Sequence, residues 1–239
     1  MVAFESAATD LVTNAVTTEQ DVYVRDLVSG VTRLVSADPS GSHGGNGASF
    51  GPSLSADGRF VAFESNASNL VTNDLNGDIS DVFVRDLAAG STLLISRNCA
   101  GTGGASDGSR NPRISADGRH VVFLSGAPDL VPGEFRHGDV FLCDLQTRGI
   151  TPLSRNVQNT GGGDTGSWSP ALSADGSTVA FESEASNLVT HDANGMSDVF
   201  VWRRAASVPV PALSITRSNR SVIVSWPLTA AGWLLEWTN

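Results

Sequence analysis

Apolar and polar residues alternate over short stretches along most of this chain. In Phe60-Val61-Ala62-Phe63-Glu64-Ser65 and in Asp81-Val82-Phe83-Val84-Arg85-Asp86-Leu87, β-branched and aromatic residues gather in runs of six or seven. Gly, Asn, Asp and Ser bound those runs, which is the pattern of strands. No segment sustains an apolar period of 3.6 residues, so helix content should be small. One stretch shows the unit. Residues 52–55 predict strand A, and Asp57-Gly58 a tight turn, because Gly tolerates positive φ and Asp can bond its own backbone. Residues 60–65 predict strand B, and a loop of 15 residues leads to strand C at 81–87. Gly90 marks a turn into strand D at 92–96, and a Gly/Ser/Asn-rich loop leads onward.

This unit repeats. Val2-Ala3-Phe4-Glu5-Ser6 returns unchanged at 61–65, as VVFLS at 121–125 and as VAFES at 179–183, with offsets of 59, 60 and 58. DVYVRDL at Asp21 becomes DVFVRDL at Asp81, DVFLCDL at Asp139 and DVFVWRR at Asp198. SADG begins at Ser55, Ser115 and Ser173. A four-stranded antiparallel unit repeated at this period is the mark of a β-propeller blade. One such sheet cannot bury both faces alone, so neighbours must cover each other. A ladder of sheets or a β-sandwich is the alternative. The SADGRxVAFxS…DVFVRDL pattern resembles the TolB-like, WD40-like (PD40) β-propeller repeats over residues 2–208. That resemblance implies an all-β fold: a small propeller of four, or five, four-stranded antiparallel blades. It is specific for fold and weak for function, because the family spans scaffolds, binding modules and enzyme accessory domains.

Residues 1–208 are therefore read as repeats, the first starting inside strand B and the fourth stopping after strand C. Pro209 and Pro211 mark a break. Residues 209–239 predict three more strands, at 212–216, 221–226 and 233–238. They either close the ring, open an incomplete fifth blade, or begin a separate sandwich. Starting mid-repeat suggests a truncated piece of a longer protein. No signal peptide is visible, but the tail string LSITRSxxSVIVSWP resembles C-terminal modules attached to such propellers in secreted bacterial proteins, which implies an extracytoplasmic setting.

Comparing repeats separates frame from exceptions. Glu5, Glu64 and Glu182 share a position that is Leu124 in repeat three, and Arg25 and Arg85 share one that is Cys143 there and Trp202 in repeat four. Their joint loss suggests a cross-strand Glu–Arg pair. Gly47-Ala48-Ser49-Phe50-Gly51 matches a nucleophile elbow, but no helix follows, and the Ser recurs at Ser109 and Ser167 as part of Ser-x-x-Pro. A turn-capping hydroxyl is the reading preferred for it.

The loop from strand B to strand C carries the best chemical signal. Asp74, Asn76, Asp78 and Asp81 alternate around Gly77, and Asp192, Asn194 and Asp198 do so around Gly195. Oxygen ligands at alternate positions with a Gly at the bend suit calcium, which takes six to eight oxygens. An Asx-rich turn without an ion explains the same string. A second candidate site is the channel mouth, where Asn46, Asp107 and Asp164 precede Ser-x-x-Pro in successive repeats. Propeller lactonases place a catalytic calcium in such a channel, so the resemblance admits one here. His43 and His137, in channel-side loops, are candidate general bases beside a bound metal, and Asp107 and Asp164 are further catalytic candidates. Trp168 could stack on a ligand or pack between blades. His120 is expected on a strand surface, and Cys99 and Cys143 as free thiols.

Composition narrows the chemistry. The 239 residues carry a net charge of −10, and all 15 basic residues are Arg. An acidic chain lacks the footprint of a nucleic-acid binder, and no apolar run spans a bilayer. Without Lys there is no Walker lysine, Schiff base or Ser–Lys dyad. Two readings remain. One is a calcium-binding propeller that acts as a scaffold for a small molecule, glycan or protein at its channel face. The other is a calcium-dependent lactone or ester hydrolase at the channel mouth, with the metal polarising a carbonyl.

Overall fold

The computed structural model describes residues 1–13 and 19–204, and the backbone of 214–218 and 221–225. Every predicted run of alternating residues within the repeats folds as a strand. Blade 1 contains β1 (Val2–Ser6), β2 (Asp21–Arg25) and β3 (Thr32–Leu34). Blade 2 contains β4 (Ser49–Leu54), β5 (Phe60–Ser65), β6 (Asp81–Asp86) and β7 (Ser91–Leu94). Blade 3 contains β8 (Ser109–Ile114), β9 (His120–Ser125), β10 (Asp139–Asp144) and β11 (Ile150–Pro152). Blade 4 contains β12 (Ser167–Leu172), β13 (Thr178–Ser183) and β14 (Asp198–Arg203). Each sheet is antiparallel with its strands in chain order. Among the described residues, blade 1 contains three strands from β1 onward and blade 4 three strands to β14.

Residues 1–203 form one compact unit and residues 204–239 another. In the second, β15 (Ser214–Ser218) and β16 (Ser221–Ser225) pair with each other. The strands expected at 212–216 and 221–226 overlap these two where the backbone is described, and the strand expected at 233–238 lies outside the described residues.

Side-chain alternation builds the interfaces between blades. Val22 and Val24 of β2 pack with Val61, Phe63 and Phe83 of blade 2. Val82 and Val84 pack with Val121, Phe123 and Phe141 of blade 3, and Val140 and Leu142 with Val179, Phe181 and Phe200 of blade 4. The residues between them on strands B and C form one stacked aromatic pair per blade: Phe4–Tyr23, Phe63–Phe83, Phe123–Phe141 and Phe181–Phe200, with centroids 5.7–5.9 Å apart. Such pairs are favourable beyond the area they bury. On blade 4, Val199 and Val201, the counterparts of Val22 and Val24, are 72% and 57% exposed.

Two repeated polar devices hold the blades. Ser55 Oγ donates to Asp57 Oδ1 at 2.6 Å, which in turn accepts the Arg59 N–H at 3.0 Å. Gly58, at φ +72°, completes the predicted turn. In the second device, Ser-x-x-Pro makes a bulge. Register slips between Phe50 and Ser53, Arg110 and Arg113, and Trp168 and Ala171. Gly51, Asn111 and Ser169 take positive φ there. A bulge leaves a backbone group off the ladder, and the preceding blade supplies its partner. The Gly51 N–H donates to Glu5 Oε2 at 2.9 Å, and the Asn111 N–H to Glu64 Oε2 at 2.6 Å.

This overturns the expected Glu–Arg pair. Glu5 lies opposite Val22, and Arg25 opposite Val2, at the far end of the strand pair. Arg25 and Arg85 instead donate to Thr32 and Thr92. Glu and Arg vanish together in repeat three for separate reasons: Leu124 gives up a link to the next blade, and Cys143 fills the core between blades 2 and 3.

Candidate functional site

The Asp that opens each strand C is a frame residue in blades 1 to 3. Asp21, Asp81 and Asp139 are fully buried. Fifteen residues later a Ser hydroxyl donates to each: Ser36 to Asp21 at 2.6 Å, Ser96 to Asp81, and Ser154 to Asp139 at 2.7 Å. The same hydroxyls accept the N–H of Val22, Val82 and Val140. Burial pushes the Asp81 carboxyl up to about 7 and the Asp139 carboxyl up to about 6. Desolvation penalises the charged form, and a Ser hydroxyl only partly offsets it. Gly104 permits the close packing, since a Cβ there would lie 2.7 Å from Asp81 Oδ2.

The blade-2 loop adds to this frame. Asp74 is 6% exposed, and both of its carboxylate oxygens are buried without a hydrogen-bond partner. Asn76 Oδ1 is buried in the same state. The Asn76 amide donates to Asp81 Oδ2 and to the Ala105 carbonyl, each at 2.7 Å. Burial raises the Asp74 carboxyl, and the Asp74 charge in turn raises Asp81. Asp74, Asn76 and Asp81 thus come together, whereas Asp78 is exposed at the rim and its carbonyl accepts from Asn66. Gly77 takes φ +82°, the bend the motif requires. The blade-4 loop has the same outline and less burial. Asn194 donates to Asp198 at 3.0 Å, and Asp192 and Asp198 are half-buried. No group of three or more His, Cys, Asp or Glu converges among the described residues. The blade-2 cluster has two carboxylates, and its remaining oxygens are amide and carbonyl.

The channel-mouth residues play different parts. Asn46 Oδ1 accepts the Ser68 N–H at 2.9 Å, and Asp164 Oδ1 accepts the Ser186 N–H at 2.9 Å. Both fasten the loop after their own strand B. Asp107 stands one position later along its loop, and Oδ1 accepts the Gly108 N–H. His137 lines two cavities of about 220 and 210 Å³, one with Asp107, Arg110 and Arg136, the other with Asp164 and Glu134. His43 lines neither; its Nδ1 lies 3.7 Å from Asp38 Oδ2.

The Ser of Ser-x-x-Pro and His120 depart from expectation. Ser49 is buried, and its Oγ donates to Ser65 Oγ at 2.8 Å, with Ser109–Ser125 and Ser167–Ser183 alike. The hydroxyl ties strand A to strand B rather than capping a turn. His120 is 2% exposed, not on a strand surface, because the Gly176 turn of blade 4 closes over it. Trp168 packs between blades 3 and 4 and donates to Glu182 Oε2 at 2.9 Å. Cys99 and Cys143 are free thiols, as expected. Two features escaped the sequence reading: the Glu5 and Glu64 links to the next blade, and the burial of Arg85. A repeated Glu shows that it matters, not which blade it reaches.

No family model matches the chain, and no curated protein matches it. Among solved structures it is similar to TolB from Acinetobacter baumannii, with 17% identity over 88% of this chain and 46% of that one, at a TM-score of 0.46. It is similar to the β-propeller domain of the Trilobed protease from Pyrococcus furiosus, with 15% identity over 78% and 47% and the same TM-score. A putative TolB from Agrobacterium tumefaciens gives 15% identity over 78% and 53%, at 0.43. The chain spans about half the length of these structures. Four successive antiparallel blades, each burying the apolar face of the one before, decide the architecture. The chain is an all-β propeller. Among its described residues, no helix is long and apolar enough to cross a membrane.

Proposed function

We propose that this propeller is a calcium-binding interaction scaffold, with the ion held in the blade-2 loop. One observation carries the reading: Asp74 is a buried carboxylate with no side-chain or cationic partner among the described residues, only the Asn76 backbone N–H favouring its charged form. Burying a charge without a partner costs several kcal/mol, and unpaired buried polar groups are rare. A hard cation resolves the cost. Asp74, Asn76 Oδ1 and Asp81 offer it oxygen ligands, and water at the rim beside Asp78 completes a shell that calcium accepts more readily than magnesium. The ion would fix the loop that also holds the Ala105 carbonyl, on the path into blade 3. Its role is stabilisation of a surface that a protein, glycan or small molecule recognises at the channel face. A modest affinity suits an extracytoplasmic setting, where calcium is abundant.

The test is calorimetric titration of the full chain with calcium, paired with melting in calcium and in chelator. Saturable binding with a raised Tm, both lost in Asp74→Asn, supports the reading. Calcium binding that survives Asp74→Asn would overturn the site. A lactone panel assayed in both buffers addresses the scaffold: chelator-sensitive turnover lost on Asp107 or Asp164 substitution would replace it with a hydrolase.

A further inference from the structure

Arg85 on β6 is 8% exposed. Its Nη1 donates to Thr92 Oγ1 at 2.9 Å, and among the described residues no carboxylate lies within 4.0 Å of it. Arg25, at the same position of blade 1, makes the same bond to Thr32 and is exposed. The Asp38 charge acts on Arg85 without an ion-pair contact, so burial with no contacting carboxylate distinguishes Arg85 from Arg25. Burying a cation in this way is costly, and that cost calls for an anion.

A cavity of about 310 Å³ opens beside Arg85. Arg148 of the blade-3 turn lines it too, held by Nη2 donating to the Leu94 carbonyl at 3.2 Å and by its own carbonyl accepting from Arg97 Nη2 at 2.5 Å. Arg148 takes φ +62°, a conformation unusual for a non-glycine residue and fixed here by these contacts. Thr72, Ser91 and Thr92 add hydroxyls, and Leu70, Val71 and Leu93 an apolar wall. No acidic residue lines the cavity, although acids outnumber bases 25 to 15 in the chain. We propose that this cavity binds a small organic carboxylate, its anionic head on Arg85 and Arg148 and its apolar body against Leu70, Val71 and Leu93. The planar guanidinium fork matches a carboxylate through paired N–H donors. The volume is that of a small-molecule site, apolar with a few placed polar groups.

The site uses none of the proposed calcium ligands Asp74, Asn76 and Asp81, although Leu70, Val71 and Thr72 lie on the same loop, so titration in calcium and in chelator separates the two readings. The test is calorimetric titration of the full chain with hexanoate, its neutral analogue hexanamide, and inorganic phosphate, in calcium and in chelator. Hexanoate should saturate one site, and hexanamide should bind at least about tenfold more weakly. Arg85→Met should weaken hexanoate at least about tenfold while keeping the apolar volume. Arg148→Met, on a half-exposed turn, gives a second reading should Arg85→Met misfold by circular dichroism. The proposal is overturned by absence of saturable hexanoate binding, by equal binding of hexanamide, or by affinity indifferent to both Arg variants. Phosphate binding with hexanoate failing would overturn the carboxylate assignment.

Discussion

Asp139 makes stability depend on pH in a direction opposite to that of most acidic proteins. It is fully buried, its Oδ1 accepts from Ser154, and its Oδ2 is sealed without a hydrogen-bond partner. Burial raises the carboxyl to about 6, against about 3.9 in an unfolded chain. Between those values the folded protein holds a proton that the unfolded chain releases. The resulting stability is complete below about pH 4 and is lost as pH rises through about 6. Integrated from pH 5 to 7, Asp139 alone costs about 1.3 kcal/mol, or a Tm lowered by about 3–5 °C for a domain this size. Asp81, raised to about 7, adds to the same slope. The assay is urea unfolding at pH 5, 6 and 7 in chelator, followed by Trp fluorescence. Wild type should be more stable at pH 5 than at pH 7. Asp139→Asn keeps an acceptor for Ser154 and removes the charge, so it should be stabilised at pH 7 and show a shallower slope. A wild type that loses stability between pH 7 and 5, or a variant with an unchanged slope, would refute the reasoning.

Further predictions test the frame. Asp86 is held down at about 2, first by the Arg59 fork whose Nη2 lies 2.7 Å from Oδ2; its contribution is present above about pH 4 and lost as pH falls toward 2. Arg59→Met should therefore raise the midpoint of acid unfolding seen by circular dichroism. Gly104→Ala should cost about 2 kcal/mol in urea unfolding, because the new Cβ presses on Asp81 and Asn76. Glu64→Ala removes the acceptor for the Asn111 N–H in the next blade and should cost about 1 kcal/mol. The same change at Glu184, which makes no such link among the described residues, should be near neutral.

Strands and turns were legible because their causes are local. Alternation sets the strand, Asp57-Gly58 sets the turn, and the period of the three strings sets the blade. What the sequence could not show is which blade a side chain serves. Glu64 and Arg85 lie on adjacent strands of one sheet, so a pair was the natural reading. The bulge at Asn111 draws Glu64 into the next blade, and Arg85 is left beside a cavity. Asp81 was legible as the recurring acid that opens strand C, yet its burial and its bond to Ser96, fifteen residues away, depend on strand D folding back. Asn46, Asp107 and Asp164 share a place before Ser-x-x-Pro, but a one-residue shift in blade 3 gives Asp107 a different role.

Recurrence and chemistry pull apart in the two loops that share the Asp-x-Asn-Gly string. An ion is held tightly only where its ligands have already lost water, because a hydrated carboxylate gains little by exchanging water for calcium. In blade 4, Asp192 and Asp198 are half-buried and the Asn194 amide satisfies Asp198. That loop is already content as an Asx turn. In blade 2, the segment around Gly104 and Ala105 lies over the loop and takes the Asn76 amide, which leaves Asn76 Oδ1 and both Asp74 oxygens enclosed. The same motif is thus neutral in one blade and strained in another, and the difference comes from the segment that covers it. Arg85 follows the same logic with the sign reversed, exposed and ordinary as Arg25 in blade 1, enclosed and with no contacting carboxylate among the described residues in blade 2. In a propeller of near-identical repeats, binding chemistry belongs where a repeated polar residue has been covered without being paired.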